Sequence, residues 1–140
     1  MIESIKDFIS TCPYIDDYTK LNVNYLVDKV KAYSINESAG YEPLISESIT
    51  GEREYQLQFT FDSKLYWNDE VSNNINNSKF YENFREWLET KNDSGELPTA
   101  TGITPLSIKA TSNGYIFDAQ QNVAIYRISC VFNYIKWKWG

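Results

Sequence analysis

The chain contains no histidine, and that absence excludes more chemistry than any other feature of its composition. Histidine is the commonest general base, the commonest metal ligand and the usual activator of serine and cysteine nucleophiles. Ser-His and Cys-His catalysis are therefore ruled out, and the ordinary zinc sites very nearly so. Cysteine is scarce: Cys12 and Cys130 lie far apart and nothing beside them indicates secretion, so two buried free thiols are expected rather than a disulfide. There is no CxxC, no phosphate-cradling glycine loop and no nucleotide fingerprint. The N-terminal MIESIKDFIS carries Glu3 and Asp7 and lacks a continuous apolar run, so it is not read as a signal peptide. No apolar stretch approaches the roughly 18 residues that a membrane span needs. Positive charge is also short. Thirteen Lys and Arg are scattered among 19 Asp and Glu, giving a net charge of −6. A protein that wraps nucleic acid needs clustered cations, and here the only small cluster is Lys136 with Lys138.

What is present is apolar and aromatic. Of 140 residues 42% are hydrophobic and 16% aromatic, with 11 Tyr, 7 Phe and 4 Trp. That is ample for one packed domain spanning 1–140. Some of these rings fill the core; Tyr and Trp are also enriched where proteins meet.

The most informative segment is 123–139, VAIYRISCVFNYIKWKW. It has no Pro, Gly or carboxylate and is dense in β-branched and aromatic residues, which predicts a strand up to roughly twice the usual five or six residues. Strand side chains alternate, so Ala124, Tyr126, Ile128, Cys130, Phe132 and Tyr134 share one face, the expected core. Ile125, Val131, Ile135, Trp137 and Trp139 share the other, interrupted by Arg127, Ser129 and Asn133. That second face is too apolar for free solvent and too polar for a core, which suggests partial cover by a partner.

Elsewhere, Ile2, Ile5, Phe8 and Ile9 predict a short amphipathic helix over 2–11, stopped before Pro13. Residues 22–35 read as one strand, bulged where the alternation changes phase. A second strand is expected at 44–49, with Thr50-Gly51-Glu52 as the turn. Tyr55, Leu57, Phe59 and Phe61 alternate with polar residues in the cleanest strand, 55–62. A short helix over 69–75 precedes Asn76-Asn77-Ser78, which offer N-caps to a helix from Lys79 whose apolar face is Phe80, Phe84, Trp87 and Leu88. Glu82 in its first turn and Lys91 at its end suit the helix dipole. Residues 92–105 form a loop, 106–111 a strand, Asn113-Gly114 a turn and 118–122 another turn. The order α-β-β-β-α-β-β makes an α+β fold with a mainly antiparallel sheet and the helices packed on one face.

No constellation points to catalysis. Asp16-Asp17 and Asp69-Glu70 lie in polar segments and read as solvated surface or helix-start charge. The asparagines around Ile75 are explained by turn and cap chemistry. Tyr66-Trp67 ends a strand, either as a hydrophobic lid over a helix or as a ligand-stacking platform. Trp137 and Trp139 sit at a chain end, where fraying would expose two indoles, so they are placed against a neighbouring subunit in preference to the protein's own surface. The candidate interface set is Tyr66, Trp67, Arg127, Val131, Ile135, Trp137 and Trp139; no catalytic, cofactor or metal residue is assigned, and the chain is not read as an enzyme.

The succession NVNYL…AYSI, a glycine turn before YQLQFTF, NNSKFYENFREWL, GELP, then a strand and SNGYIFD resembles a group of small prophage proteins of Gram-positive bacteria described as minor capsid or tail-completion proteins. The most specific part is Asn77-Ser78…Phe84…Trp87 followed by Gly95…Leu97-Pro98. Some members carry a chloramphenicol-resistance label, whose acetyltransferase mechanism needs a histidine base. The resemblance implies a phage tail terminator: an α+β domain forming a sixfold ring that caps the tail tube, stops its polymerisation and offers the surface for joining the head, in phages or in phage-tail-like bacteriocins. The KWKWG ending departs from the pattern. The implied partners are further copies of the chain, the tail tube protein, and sheath or head-neck proteins, with DNA only as passing cargo and no membrane. The implied location is the tail or neck of a virion assembled in the host cytoplasm. Six copies at −6 each would carry about −36, repulsive to sliding DNA if turned inward. A head-completion or connector protein, or a sheath-end protein, is the alternative. A small-molecule site at Tyr66-Trp67 is the alternative of another class.

Overall fold

The computed structural model describes residues 1–15, 21–23, 32–37, 44–66, 71–120 and 123–137. The chain is an α+β fold built on a mostly antiparallel open sheet, with two helices among the described residues. Its elements are α1 (Ile2–Ile9), β1 (Leu21–Val23), β2 (Ala32–Glu37), β3 (Leu44–Glu47), β4 (Glu52–Tyr66), α2 (Val71–Ser94), β5 (Thr104–Ala110), β6 (Tyr115–Gln120) and β7 (Val123–Trp137).

Two strands of 15 residues form the spine. β4 and β7 pair antiparallel without a slip, from Glu52 opposite Trp137 to Tyr66 opposite Val123. At about 3.3 Å per residue the ladder is roughly 50 Å long. Shorter strands line its margins. On the β4 side, β2 pairs with 59–64 and β3 with 53–55. On the β7 side, β6 pairs with 123–127 and β5 with 130–135. β1 extends β2 in parallel.

Alternation decides which face is buried. Tyr33 and Ile35 of β2, Leu57, Phe59 and Phe61 of β4, Ile108 of β5, and all six inward positions of β7 from Ala124 to Tyr134 are buried. This is the face predicted for the last strand. Ile5 and Ile9 of α1 and Tyr81, Phe84, Trp87 and Leu88 of α2 belong to the same cluster. Ring contacts tie it together: Phe61 stacks on Phe84 with centroids 4.7 Å apart, and Phe8 meets Trp87 at 5.0 Å. Each large ring buried this way is worth several kcal/mol against truncation. Cys12 and Cys130 are free and buried, as expected. Burial pushes the Cys12 thiol up to about 11 and moves Cys130 in the same direction.

The element order differs from the sequence expectation in four places. The single strand read over 22–35 is two, β1 and β2, which pair in parallel. The two helices read over 69–75 and from Lys79 are one helix, so Glu82 is in its interior and its first turn carries no acid. That helix also runs past Asn92 to Ser94. It stops where Gly95 takes φ 75°, with Gly95 N–H on Asn92 O and Glu96 N–H on Lys91 O, a Schellman cap. Finally β6 occupies 115–120, part of it read as a turn, so the order is α-β-β-β-β-α-β-β-β. Asn113-Gly114 is not a hairpin turn: β5 and β6 do not pair with each other but follow one another along β7. Gly114 is needed for close approach, since a Cβ there would lie 2.4 Å from the Tyr81 ring.

Candidate subunit interface

The outward face of the ladder is polar in its middle. Gln56, Gln58 and Thr60 of β4 lie opposite Asn133, Val131 and Ser129 of β7. Gln56, Gln58, Thr111, Ser129 and Val131 line a shallow cavity of about 440 Å³ there. Asn133 Oδ1 is buried without a hydrogen-bond partner among the described residues.

Nearer the Tyr66 end this face carries a charge pair between a buried carboxylate and a half-buried guanidinium. Arg127 Nε donates to Asp62 Oδ1 at 2.8 Å and its Nη2 to Oδ2 at 2.9 Å. Asn36 Nδ2 donates to the same Oδ2 at 3.0 Å, and Ser34 beside it is buried. Asp62 is 4% exposed. The fork-to-fork geometry explains why a carboxylate sits there: three charge-assisted or amide donors replace its water. The hydrogen bonds to Asp62 favour the charged guanidinium and raise the Arg127 pKa.

At the other end burial gives out. All four residues of β3 are exposed. Leu44 and Ile45 are about half exposed, as is Trp137, and Leu106 in the bulge of β5 is nearly so. Ile49 stands fully exposed at the β3–β4 turn. That turn is well made: Ser48 N–H donates to Glu52 O at 2.8 Å, Ser48 Oγ bonds Thr50 Oγ1 at 2.9 Å, and Gly51 takes φ 95°. The Tyr55 ring stacks on Tyr134 at 5.5 Å, and Arg53 pairs with Glu47 at 3.1 Å. An isoleucine held in water by an ordered turn is the apolar feature least explained by this chain alone.

A scan of protein-family models finds no match to the sequence, and a search of curated proteins finds none either.

Of the candidate residues, Trp137 lies in this exposed end, opposite Glu52. Ile135 is beside it, half-buried between Glu54 and Thr104. Val131 is half-buried between Gln58 and Lys109 in the polar middle. Arg127 is held by Asp62. Tyr66 ends β4 opposite Val123, the full ladder away from Trp137, so the set does not form one patch. Trp67 and Trp139 lie outside the described residues. Sequence reasoning missed Leu44, Ile45, Ile49, Leu106, Tyr115 and Ile116. The one signal for Ile49 was an apolar residue next to a turn marked by Thr50-Gly51.

The edges of the sheet are unequally finished. On β5, Asn92 of α2 acts as a surrogate strand: Ile108 N–H donates to Asn92 Oδ1 at 2.8 Å, and Asn92 Nδ2 donates back to Ile108 O and to Leu88 O at 3.0 Å. That closes the middle of the edge to any incoming backbone. β3 pairs only with β4, and β6 only with β7, among the described residues. The segment 111–114 is fastened to α2 by Arg85, whose Nη1 donates to Asn113 Oδ1. Beneath it the Tyr81 hydroxyl donates to Tyr126 O at 3.1 Å and takes a hydrogen bond from Ser63.

Among the described residues no group of three or more Cys, Asp or Glu could hold a metal ion. Among them, too, no helix is long and apolar enough to cross a membrane.

Proposed function

We propose that this chain is a structural virion subunit that assembles into a ring: it caps the end of a phage or phage-tail-like tail tube, halts tube polymerisation and presents the surface to which a head is joined. The observation that carries this reading is the exposed end of the ladder. Leu44, Ile45 and Ile49 stand in solvent on a well-hydrogen-bonded hairpin, Ile49 fully exposed, and Trp137 is exposed on the neighbouring β7 opposite Glu52. An ordered apolar projection of this kind gains by covering itself against another molecule. Both helices, in this reading, lie over the inward face of the sheet, with Phe84 on Phe61 and Trp87 on Phe8. That leaves the polar outward face for a neighbour or the channel. The net charge of −6 per copy suits a channel through which DNA passes without adhering.

The test is mass-resolved sizing of the pure protein with and without its tail tube protein. Rings, alone or templated by tube, are expected. A monodisperse monomer at high concentration that also fails to bind tube would end the proposal.

A further inference from the structure

We infer that neighbouring copies join by edge-to-edge strand pairing, β3 of one copy docking against β6 of the next. The inference rests on the ring reading above and deepens it by naming the joint. Three observations support it. The β5 edge is closed by Asn92, whereas β3 and β6 carry no such cap among the described residues. Natural sheets protect edges that must not pair, so uneven protection marks the edges left to pair.

The two open edges are also opposite and compatible in direction. β3 lies on the β4 margin and β6 on the β7 margin. β3 is antiparallel to β4, which is antiparallel to β7, to which β6 is antiparallel. β3 and β6 therefore run in opposite directions, and joining copies through them continues an antiparallel sheet. The contact uses different surfaces on the two copies, the head-to-tail kind that closes cyclic rings. The edges are offset by about ten residues along the ladder, roughly 33 Å, so strands in such a ring would run obliquely to its axis, as in a barrel.

Finally, both edges carry the apolar surface the joint needs. Leu44 is 47% exposed and Ile45 46%, while Tyr115 and Ile116 are each 44% exposed. Four residues of strand cannot alone bury the roughly 1,200 Å² of a stable interface; these side chains, with Ile49, supply the remainder.

Glu47 gives a clean probe. Ser48 N–H is spent on Glu52 O, so by alternation the N–H of Glu47 faces away from β4. Glu47→Pro removes that donor as well as the side chain; Glu47→Ala keeps the donor and removes the side chain with its contacts, the ion pair with Arg53 among them. In sizing with tube protein, Glu47→Pro should lower assembly at least tenfold and Glu47→Ala no more than twofold. Separately, Ile45→Cys combined with Ile116→Cys, or with Tyr115→Cys to allow for register, should give oxidised ladders on denaturing gels that neither single variant gives. The buried native thiols will not contribute. Rings that form normally with Glu47→Pro and yield no ladder from either pair would overturn the β3–β6 joint and leave the ring reading standing. A wild-type chain that never assembles would overturn both.

Discussion

Positions 57–63 and 52–55 of β4 belong to one unbroken ladder with β7, yet they are stabilised by different means. In the first stretch Leu57, Phe59 and Phe61 are buried, with Phe61 stacked on Phe84 of α2, and Asp62 is locked to Arg127 on the opposite face. In the second, the side-chain support is a Tyr55–Tyr134 stack and an exposed Arg53–Glu47 pair, with Lys136 and Trp137 exposed beyond them. Cross-strand pairs of that kind contribute about 0.2–1 kcal/mol each, against several for a buried ring. Hydrogen-bond register is thus uniform along the ladder while the driving force for folding is concentrated at one end. The other end keeps apolar surface available for a second molecule.

Truncation in the buried stretch should break this contrast most severely. Phe61→Ala removes a fully buried ring that stacks on Phe84 and should cost about 3–5 kcal/mol in denaturant unfolding, enough to unfold a protein of ordinary stability. Arg127→Met should come next. It leaves the Asp62 carboxylate with Asn36 but without its fork of guanidinium donors, at a cost of about 2–3 kcal/mol by the same measurement. A loss under 0.5 kcal/mol would mean that the pair contributes nothing to the fold and that Arg127 is free for the interface role its position in the sequence suggested.

The buried stretch is also the part that was legible in the sequence. Strict alternation in YQLQFTF and VAIYRISCVFNY reports a sheet covered on one side, and each inward residue follows from it. The parallel step from β1 to β2 was not legible, because local periodicity records which face a residue takes and not which strand it pairs with. The unity of α2 was hidden by asparagines at 73, 74, 76 and 77, whose preference for caps is outweighed here by continuity of the helix. Asn92 looked like a loop residue for the same reason, although its side chain is occupied with the β5 edge. The exposed hairpin was the least readable feature. Ile49 breaks no pattern in a sequence; it is conspicuous only once the turn around it is seen to be ordered and uncovered.

Two smaller effects would sharpen the comparison. Gly114→Ala forces a methyl group against the Tyr81 ring and should cost about 1–3 kcal/mol while leaving the hairpin end untouched. The Cys12 thiol gives a pH signature. It is raised from 9.0 to about 11, chiefly by burial. Below pH 9 it is neutral in both states. Between 9 and about 11 the unfolded chain gives up a proton that the folded chain keeps, so stability falls across that window and levels above it. Cys12→Ala should flatten this part of the stability–pH curve measured by urea unfolding. An unchanged slope would mean the thiol is in contact with water.

The smallest change in folding should accompany the largest change in behaviour at the open end. Ile49→Ser removes apolar surface that is already fully in solvent, so its unfolding free energy should stay within about 0.5 kcal/mol of the parent. If the hairpin is a contact surface, the same substitution should shift sizing profiles toward smaller species and raise the protein concentration needed for assembly with tube protein. Because the Ser48–Glu52 turn bonds involve backbone and Ser48 itself, the turn survives the change and the effect reads on contact alone. Loss of stability without loss of assembly would invert the assignment, making Ile49 a folding residue and placing the contact surface elsewhere on the ladder.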